Sequence, residues 1–189
     1  MKEISLYQIR DLALGSRRAV FSIQQLANLT SKPREIARVY ASRLVKKGLA
    51  IRLVRGKISF VDDDYVVATQ MVEPSYVSLS SALLFHGLTT QMPAYMECVT
   101  PRNSRRYAGL GVVYHKIQPS LMFGYEAHKK SGSYAFVADP EKALLDSAYL
   151  SAETTLLDEL LDKVDRKRLE CYVLRFHGRG RKKLERWLM

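Results

Sequence analysis

Cysteine is scarce. The chain has only Cys98 and Cys171, far apart and without CxxC or CxxH spacing. Neither a zinc centre nor a disulfide framework is indicated, and both residues are expected to be buried thiols. His86, His115, His128 and His177 are scattered outside any ligand motif and read as structural or exposed. No apolar run approaches the length of a membrane span, and Arg10 and Asp11 interrupt residues 1–15. Neither a membrane anchor nor a signal peptide is expected, and the chain should be cytoplasmic. Walker, GxGxxG and HExxH motifs are missing, and no serine sits in a nucleophile elbow. No catalytic residue, metal or cofactor is assigned, and the chain reads as something other than an enzyme.

Acidic residues are few in the first third. Residues 1–61 carry 13 Lys and Arg against 3 Asp and Glu, so +10 of the total +11 sits there. A second excess runs from Arg166 to Arg186, with 9 basic and 2 acidic residues, while the middle is net acidic. Two separated basic zones point to a polyanion, with nucleic acid as the default partner. A basic helix on a membrane surface fits less well, because residues 163–175 lack a broad aromatic face. A hydrophobic fraction of 47% and a charged fraction of 26% are ordinary for a globular protein, and 189 residues suit two small domains.

The basic third has a readable order. Residues 4–14 place Leu6, Ile9, Leu12 and Ala13 on one helical face, and Gly15 can end that helix. Residues 19–22 form a short extended run, and Ser22 can cap a helix over 23–29 with Ile23, Leu26, Ala27 and Leu29 inward. Pro33 fits only a helix start, with Ser31 as a fair N-cap. From there Ile36, Val39, Tyr40 and Leu44 recur at helical spacing and predict the buried stripe, broadened by Val45. Arg34, Arg38, Ser42 and Lys46 fall on the opposite side, with Ala37 and Ala41 nearby, giving a slim cationic face suited to a major groove. Lys46 and Lys47 complement the helix end and Gly48 stops it. Residues 50–54 and 57–61 are β-prone runs joined at Arg55 and Gly56, a tight hairpin with a basic tip. Helix, strand, helix, turn, helix, strand, strand is the order of a winged helix-turn-helix.

Asp62, Asp63 and Asp64 end the basic character and are expected to be a solvated linker or the return of the wing; Tyr65 to Val72 is helix or strand. Beyond them, Ser78 can cap a helix over 79–86 that Gly87 ends. Strands are predicted at 94–100, 111–117, 121–127 and 134–138, with a basic loop at 101–106, giving a mixed, mainly antiparallel sheet. Asp139 caps a helix over 138–150 whose stripe is Ala143, Leu144, Leu145 and Ala148. Helices follow near 153–162 and 165–176. The GRG at 178–180 is expected to break the pattern before a last basic helix that docks through Leu184, Trp187 and Leu188.

YVSLSSALLFHGLTTQMP from residue 76, FG at 123–124 and VADPEKALLD at 137–146 resemble the signature segments of the AbiEi family. These are antitoxins and transcriptional regulators of type IV toxin-antitoxin systems, which serve in phage defence. SRLVKKGLAIRLVRGKISF is similar to the winged-helix region of the same family, so the resemblance covers most of residues 20–150. It implies a repressor that binds repeats upstream of its own operon. It also implies a nucleotidyltransferase-like toxin as functional partner, countered without necessarily forming a stable complex, and assigns the antitoxin role to the second domain.

The reading is therefore an α+β protein, with a winged helix-turn-helix over residues 1–62 and an AbiEi-like sheet-and-helix domain over 70–189. The expected partner is double-stranded DNA. Arg34, Arg38, Ser42 and Lys46 are expected in the groove, and Arg55, Lys57 and Lys32 at phosphates, with Arg17 and Arg18 as further phosphate candidates. Arg102, Arg105 and Arg106, and Arg179, Arg181, Lys182 and Lys183, are candidates for a second basic surface. They would extend the DNA footprint, meet a toxin or its nucleic-acid target, or serve only solubility. A homodimer on repeated half-sites is compatible with the winged-helix reading. The alternative is a protein-interaction module in which the winged helix is only a scaffold.

Overall fold

The structure is a computed structural model that describes residues 4–150 and 155–188. It is an α+β fold with two compact units. The first runs through Met71 and includes His128–Ala135; the second comprises Val72–Ala127 and the described residues from Phe136 onward.

In the first unit Ser5 opens α1 (Leu6–Gly15) with a reciprocal cap: its hydroxyl accepts from the Gln8 N–H, and the Gln8 side chain accepts from the Ser5 N–H. Strand β1 (Val20–Ser22) leads into α2 (Ile23–Thr30), which Ser22 and Gln25 cap in the same way. Ser31 ends α2 in the left-handed region, at φ 51°, and so is not the cap of the next helix; Pro33 takes that place. Helix α3 (Arg34–Lys46) is followed by Gly48 at φ +66°. Strands β2 (Ile51–Val54) and β3 (Lys57–Ser59) form a hairpin, and β1 pairs with the other edge of β3, giving an antiparallel sheet in the order β1-β3-β2. The element order read from the sequence is present.

The core of this unit joins Ile9, Ala13, Phe21, Leu26, Leu44 and Ile58 with Ala27, Ala37, Tyr40 and Ala41. Alanine at 27, 37 and 41 lets α2 and α3 approach closely, because interaxial distance follows the side chains at the contact. Leu12, expected inward, is exposed.

The acidic triplet is not a free linker. Asp63 accepts from the Val66 N–H at 3.1 Å, starting α4 (Asp64–Met71), and its other oxygen accepts from Lys130 Nζ at 3.3 Å and the Ser131 hydroxyl at 3.1 Å. Burial pushes the Asp63 carboxyl upward, but these donors outweigh it and hold the carboxyl below the usual aspartate range. Further along α4, buried Gln70 uses its whole amide. Its oxygen accepts from the N–H groups of Ala19 at 2.8 Å and Val20 at 3.2 Å, and its nitrogen donates to the Ser133 hydroxyl and the Tyr134 carbonyl, both at 3.0 Å.

A six-stranded sheet contains β4 (Tyr76–Val77), β5 (Met96–Thr100), β6 (Arg105–Tyr107), β7 (Val112–Lys116), β8 (Tyr125–Lys130) and β9 (Ser133–Ala138), in the order β6-β7-β5-β4-β9-β8; it belongs to the second unit except for residues 128–130 and 133–135, which belong to the first. The sheet is more mixed than the strand pattern suggests: β5–β7 and β4–β9 run parallel, whereas β4–β5 and β6–β7 are antiparallel. Part of the expected basic loop is strand β6. Helix α5 (Leu79–Phe85) follows Ser78, whose hydroxyl donates to Asp146 at 2.7 Å instead of capping the helix. His86 bonds the Ala138 carbonyl at 2.8 Å, a structural role.

Helix α6 (Pro140–Leu150) starts at Asp139, which accepts from the Lys142 N–H at 2.8 Å. It is buried well beyond one stripe: Glu141, Lys142, Asp146 and Ser147 are inside as well as Ala143, Leu144, Leu145 and Ala148. The fully buried Lys142 ammonium pairs with Asp146, whose other oxygen also accepts from the Tyr76 hydroxyl at 3.0 Å. The rings of Phe123, Tyr76 and Phe176 surround the same ammonium at 4.9, 5.4 and 5.7 Å. Burial pulls the Lys142 pKa down while Asp146 opposes it. Gly124, at φ +65°, allows the close approach here; a Cβ would lie 3.0 Å from both the Lys142 Cβ and the Tyr172 ring.

Of the helix expected near 153–162, residues 153 and 154 lie outside the described residues; α7 (Thr155–Asp158) and a 3-10 turn at Leu161–Lys163 follow. Helix α8 (Arg166–Val173) is capped by Asp165. Helix α9 (Gly178–Leu188) contains the GRG, contrary to expectation, because only Gly178 has positive φ and Gly180 packs where a Cβ would collide with Tyr149. Cys98 is buried as expected, but Cys171 is exposed on α8.

Three stability outcomes are expected in urea titrations. Gln70→Leu should cost about 3 kcal/mol or more, since it strands several buried polar groups at once. Asp146→Ala should cost about 3–5 kcal/mol by leaving Lys142 buried without its counter-ion. Asp63 has a depressed folded-state pKa, so its contribution is present above the ordinary aspartate pKa and lost as pH falls through the lower folded value. Asp63→Asn should accordingly flatten that part of the acid loss seen in the wild type.

Candidate nucleic-acid interface

Helix α3 is rotated from the orientation its apolar pattern suggests. The buried side is Ala37, Tyr40, Ala41 and Leu44, while Ile36 and Val39 are 41% and 43% exposed. The small residues face inward because α2 packs close to them, which leaves no room on that side for the branched ones. Arg34, Arg38, Ser42 and Lys46 are exposed as expected, and Glu35 and Arg43 join them. Glu35 lies in the first turn, where the positive end of the helix favours a carboxylate.

A cleft of about 690 Å³ lies between α3, the start of α2 and the β2–β3 hairpin. Its walls are Ser22, Ile23 and Gln24 from the α2 start, Arg34, Arg38 and Ala41 from α3, and Arg52, Val54, Arg55, Gly56, Lys57 and Ile58 from the hairpin. Five of these residues are cationic and none is acidic. Hairpin geometry follows from Gly56, whose φ of +85° makes the turn and whose carbonyl accepts from the Ile23 N–H at 3.1 Å, fastening the tip to the first residue of α2. The α2 N-terminus brings the positive end of its dipole to the same wall.

The cations differ in freedom. Arg34, Arg38, Arg52 and Arg55 are exposed. Lys57 lines the cleft, but its ammonium donates to the Met71 carbonyl and so also holds α4. Arg52 has no counterpart in the sequence reading. Its signal is the charged position between Ile51 and Leu53 in an otherwise apolar strand, and the pairing register shifts between Arg52 and Val54, which redirects side chains there.

Of the other residues expected at DNA, Ser42 and Lys46 lie on the exposed face of α3 rather than in the cleft. Lys32, Arg17 and Arg18 do not line the cleft; Arg17 sits at φ 59°, and Arg18 Nε donates to the Val20 carbonyl at 2.8 Å.

In the second unit Arg102 Nε donates to the Glu73 carbonyl at 2.6 Å, Arg105 donates to the Tyr107 hydroxyl at 3.0 Å, and Arg106 stacks 4.0 Å from the Tyr95 ring centre. On α9, Arg181 pairs with Glu185 at 2.6 Å and Lys183 donates to the Tyr149 carbonyl at 3.1 Å, while Arg179 and Lys182 are exposed. Much of this charge is thus tied into local structure.

Among the described residues no group of three or more His, Cys, Asp or Glu side chains is placed to hold a metal ion, and no helix is long and apolar enough to cross a membrane. No protein-family model matches the chain, and no curated protein matches it significantly.

Because the cleft arginines are exposed, charge and fold should separate cleanly. Arg38→Ala and Arg52→Ala are each expected to change unfolding free energy by no more than about 0.5 kcal/mol, as read by urea titration.

Proposed function

We propose that this chain is a sequence-specific DNA-binding transcription regulator, with α3 as its recognition helix and β2–β3 as its wing. The observation that carries this reading is the cleft between α3 and the hairpin, whose charged lining residues are all cationic. With α3 in the major groove, the adjoining sugar–phosphate strand enters that cleft, where Arg52 and Arg55 face it from the hairpin and Arg34 and Arg38 from the helix. Ser42 and Lys46 then lie along the groove. Binding rather than catalysis is the activity proposed.

An autorepressing antitoxin role, with a nucleotidyltransferase-like toxin as functional partner and the second unit as the antitoxin part, rests on the resemblance to AbiEi proteins. A dimer on repeated half-sites and a cytoplasmic location belong to the same proposal.

Footprinting on the DNA upstream of the chain's own gene, against an unrelated fragment of equal length, tests the reading. Protection of a discrete repeat is the expected result; equal coating of both fragments, or no protection, would favour an interaction module. If the four exposed cleft arginines each neutralise one phosphate, log K should fall against log salt with a slope of about −3.6 from these contacts. Arg55→Ala should make that slope shallower by about 0.9 and weaken all duplexes alike.

A further inference from the structure

The outward face of α3 carries an inversion of ordinary patterning: alanines 37 and 41 are inside, and Ile36 and Val39 are outside. Both branched residues are three apart and share a face with Arg43, which follows Val39 by one turn. Arg34 and Arg38 stand on the cleft side of the same helix. The apolar pair therefore sits among exposed cations, with Arg43 beside it and Arg34 and Arg38 toward the cleft, and Glu35 is the one carboxylate of the helix.

That net positive surround selects what can cover the pair. A second copy of this face would bring one net positive surface against another, since Glu35 is its single carboxylate against Arg34, Arg38 and Arg43, so self-association through it is opposed by like charge. The fitting surface is anionic at its margins and offers small apolar groups between them, in a channel wide enough for a helix. The major groove of B-DNA has that form, with phosphates at its rims and the thymine 5-methyl group on its floor. Duplex RNA does not fit: its deep, narrow major groove excludes the helix, and uracil lacks the methyl.

Resting on the DNA-binding reading above, we infer that Ile36 and Val39 are specificity determinants that read thymine through its 5-methyl group. Selectivity then comes from two kinds of contact. The cleft arginines supply affinity that ignores sequence, and the aliphatic pair ranks sequences by where thymine falls beneath α3.

The test starts by selecting a preferred duplex from a random pool with the full chain, then replaces each thymine in it, singly, by deoxyuridine. Affinity is measured by fluorescence anisotropy at fixed salt for the wild type and for Ile36→Ala and Val39→Ala. Both positions are exposed, so these variants should retain the fold, which circular dichroism verifies. At one or two positions deoxyuridine should lower wild-type affinity about fourfold, the worth of one buried methyl-sized group, and one of the variants should bind both duplexes equally there. Sequence-selective binding in which no thymine replacement matters, or in which the sensitivity survives both variants, overturns the inference while leaving a DNA-binding protein. Failure to prefer any duplex over bulk DNA removes the parent reading, and this inference with it.

Discussion

The first unit depends on the side-chain amide of Gln70. Strand β1 lies at the edge of its sheet, and the N–H groups of Ala19, just before it, and Val20, its first residue, would be buried without partners if α4 were not beside them. The Gln70 oxygen takes both, and its nitrogen uses both hydrogens on Ser133 and Tyr134. Ser133 continues the chain of bonds by donating to the Arg17 carbonyl at 2.6 Å. Because an amide has fixed geometry, satisfying all four positions at once locates α4, β1 and the segment around Ser133 together. The same helix ends on the Met71 carbonyl that receives Lys57, so the hairpin bordering the cleft is held from this side as well.

Local signals account for what the sequence reveals of this unit. Ser5 with Gln8 and Ser22 with Gln25 are capping pairs readable as spacing, and Gly48 and Gly56 mark turns that need positive φ. The element order followed from apolar periodicity, the Ser22 cap and the glycine turns, without the Ser5–Gln8 pair. Orientation of α3 did not, because periodicity alone assumes that larger apolar residues face inward. Close packing of α2 reverses that assumption at Ala37 and Ala41, a tertiary effect with no local trace. Gln70 and Asp63 were missed for a related reason: a polar residue in a short helix, or just before it, looks solvated until its distant partners are known. Arg52 was readable as a charge inside an apolar strand, but its membership of the cleft depends on the hairpin's attachment to Ile23.

The second unit shows the same division between local and nonlocal information. Asp139 was recognisable as a helix cap, and the four apolar positions of α6 are buried as expected. The surprise is the other side of the helix, where Lys142 and Asp146 are enclosed with Tyr76, Ser78 and three aromatic rings. An i, i+4 Lys–Asp pair ordinarily signals a solvated face. Here strand β4 and the residues around Phe123 and Phe176 close over it, so the pair is a fixed polar centre whose removal in half is far more costly than its absence. The close passage of Gly124 is part of that closure, which gives the FG dipeptide a packing role independent of any family resemblance.

Arg52 has a second consequence through its place on β2, the open edge of the three-stranded sheet. Unpaired edges recruit strands from other molecules, and Ile51 beside it is exposed and β-branched, the kind of residue that encourages such pairing. A guanidinium on that edge keeps neighbouring copies apart by repulsion and by its hydration. On the proposed reading one charge serves both polyanion affinity and colloidal behaviour, so a substitution at Arg52 cannot weaken the first without bringing the chain closer to aggregation.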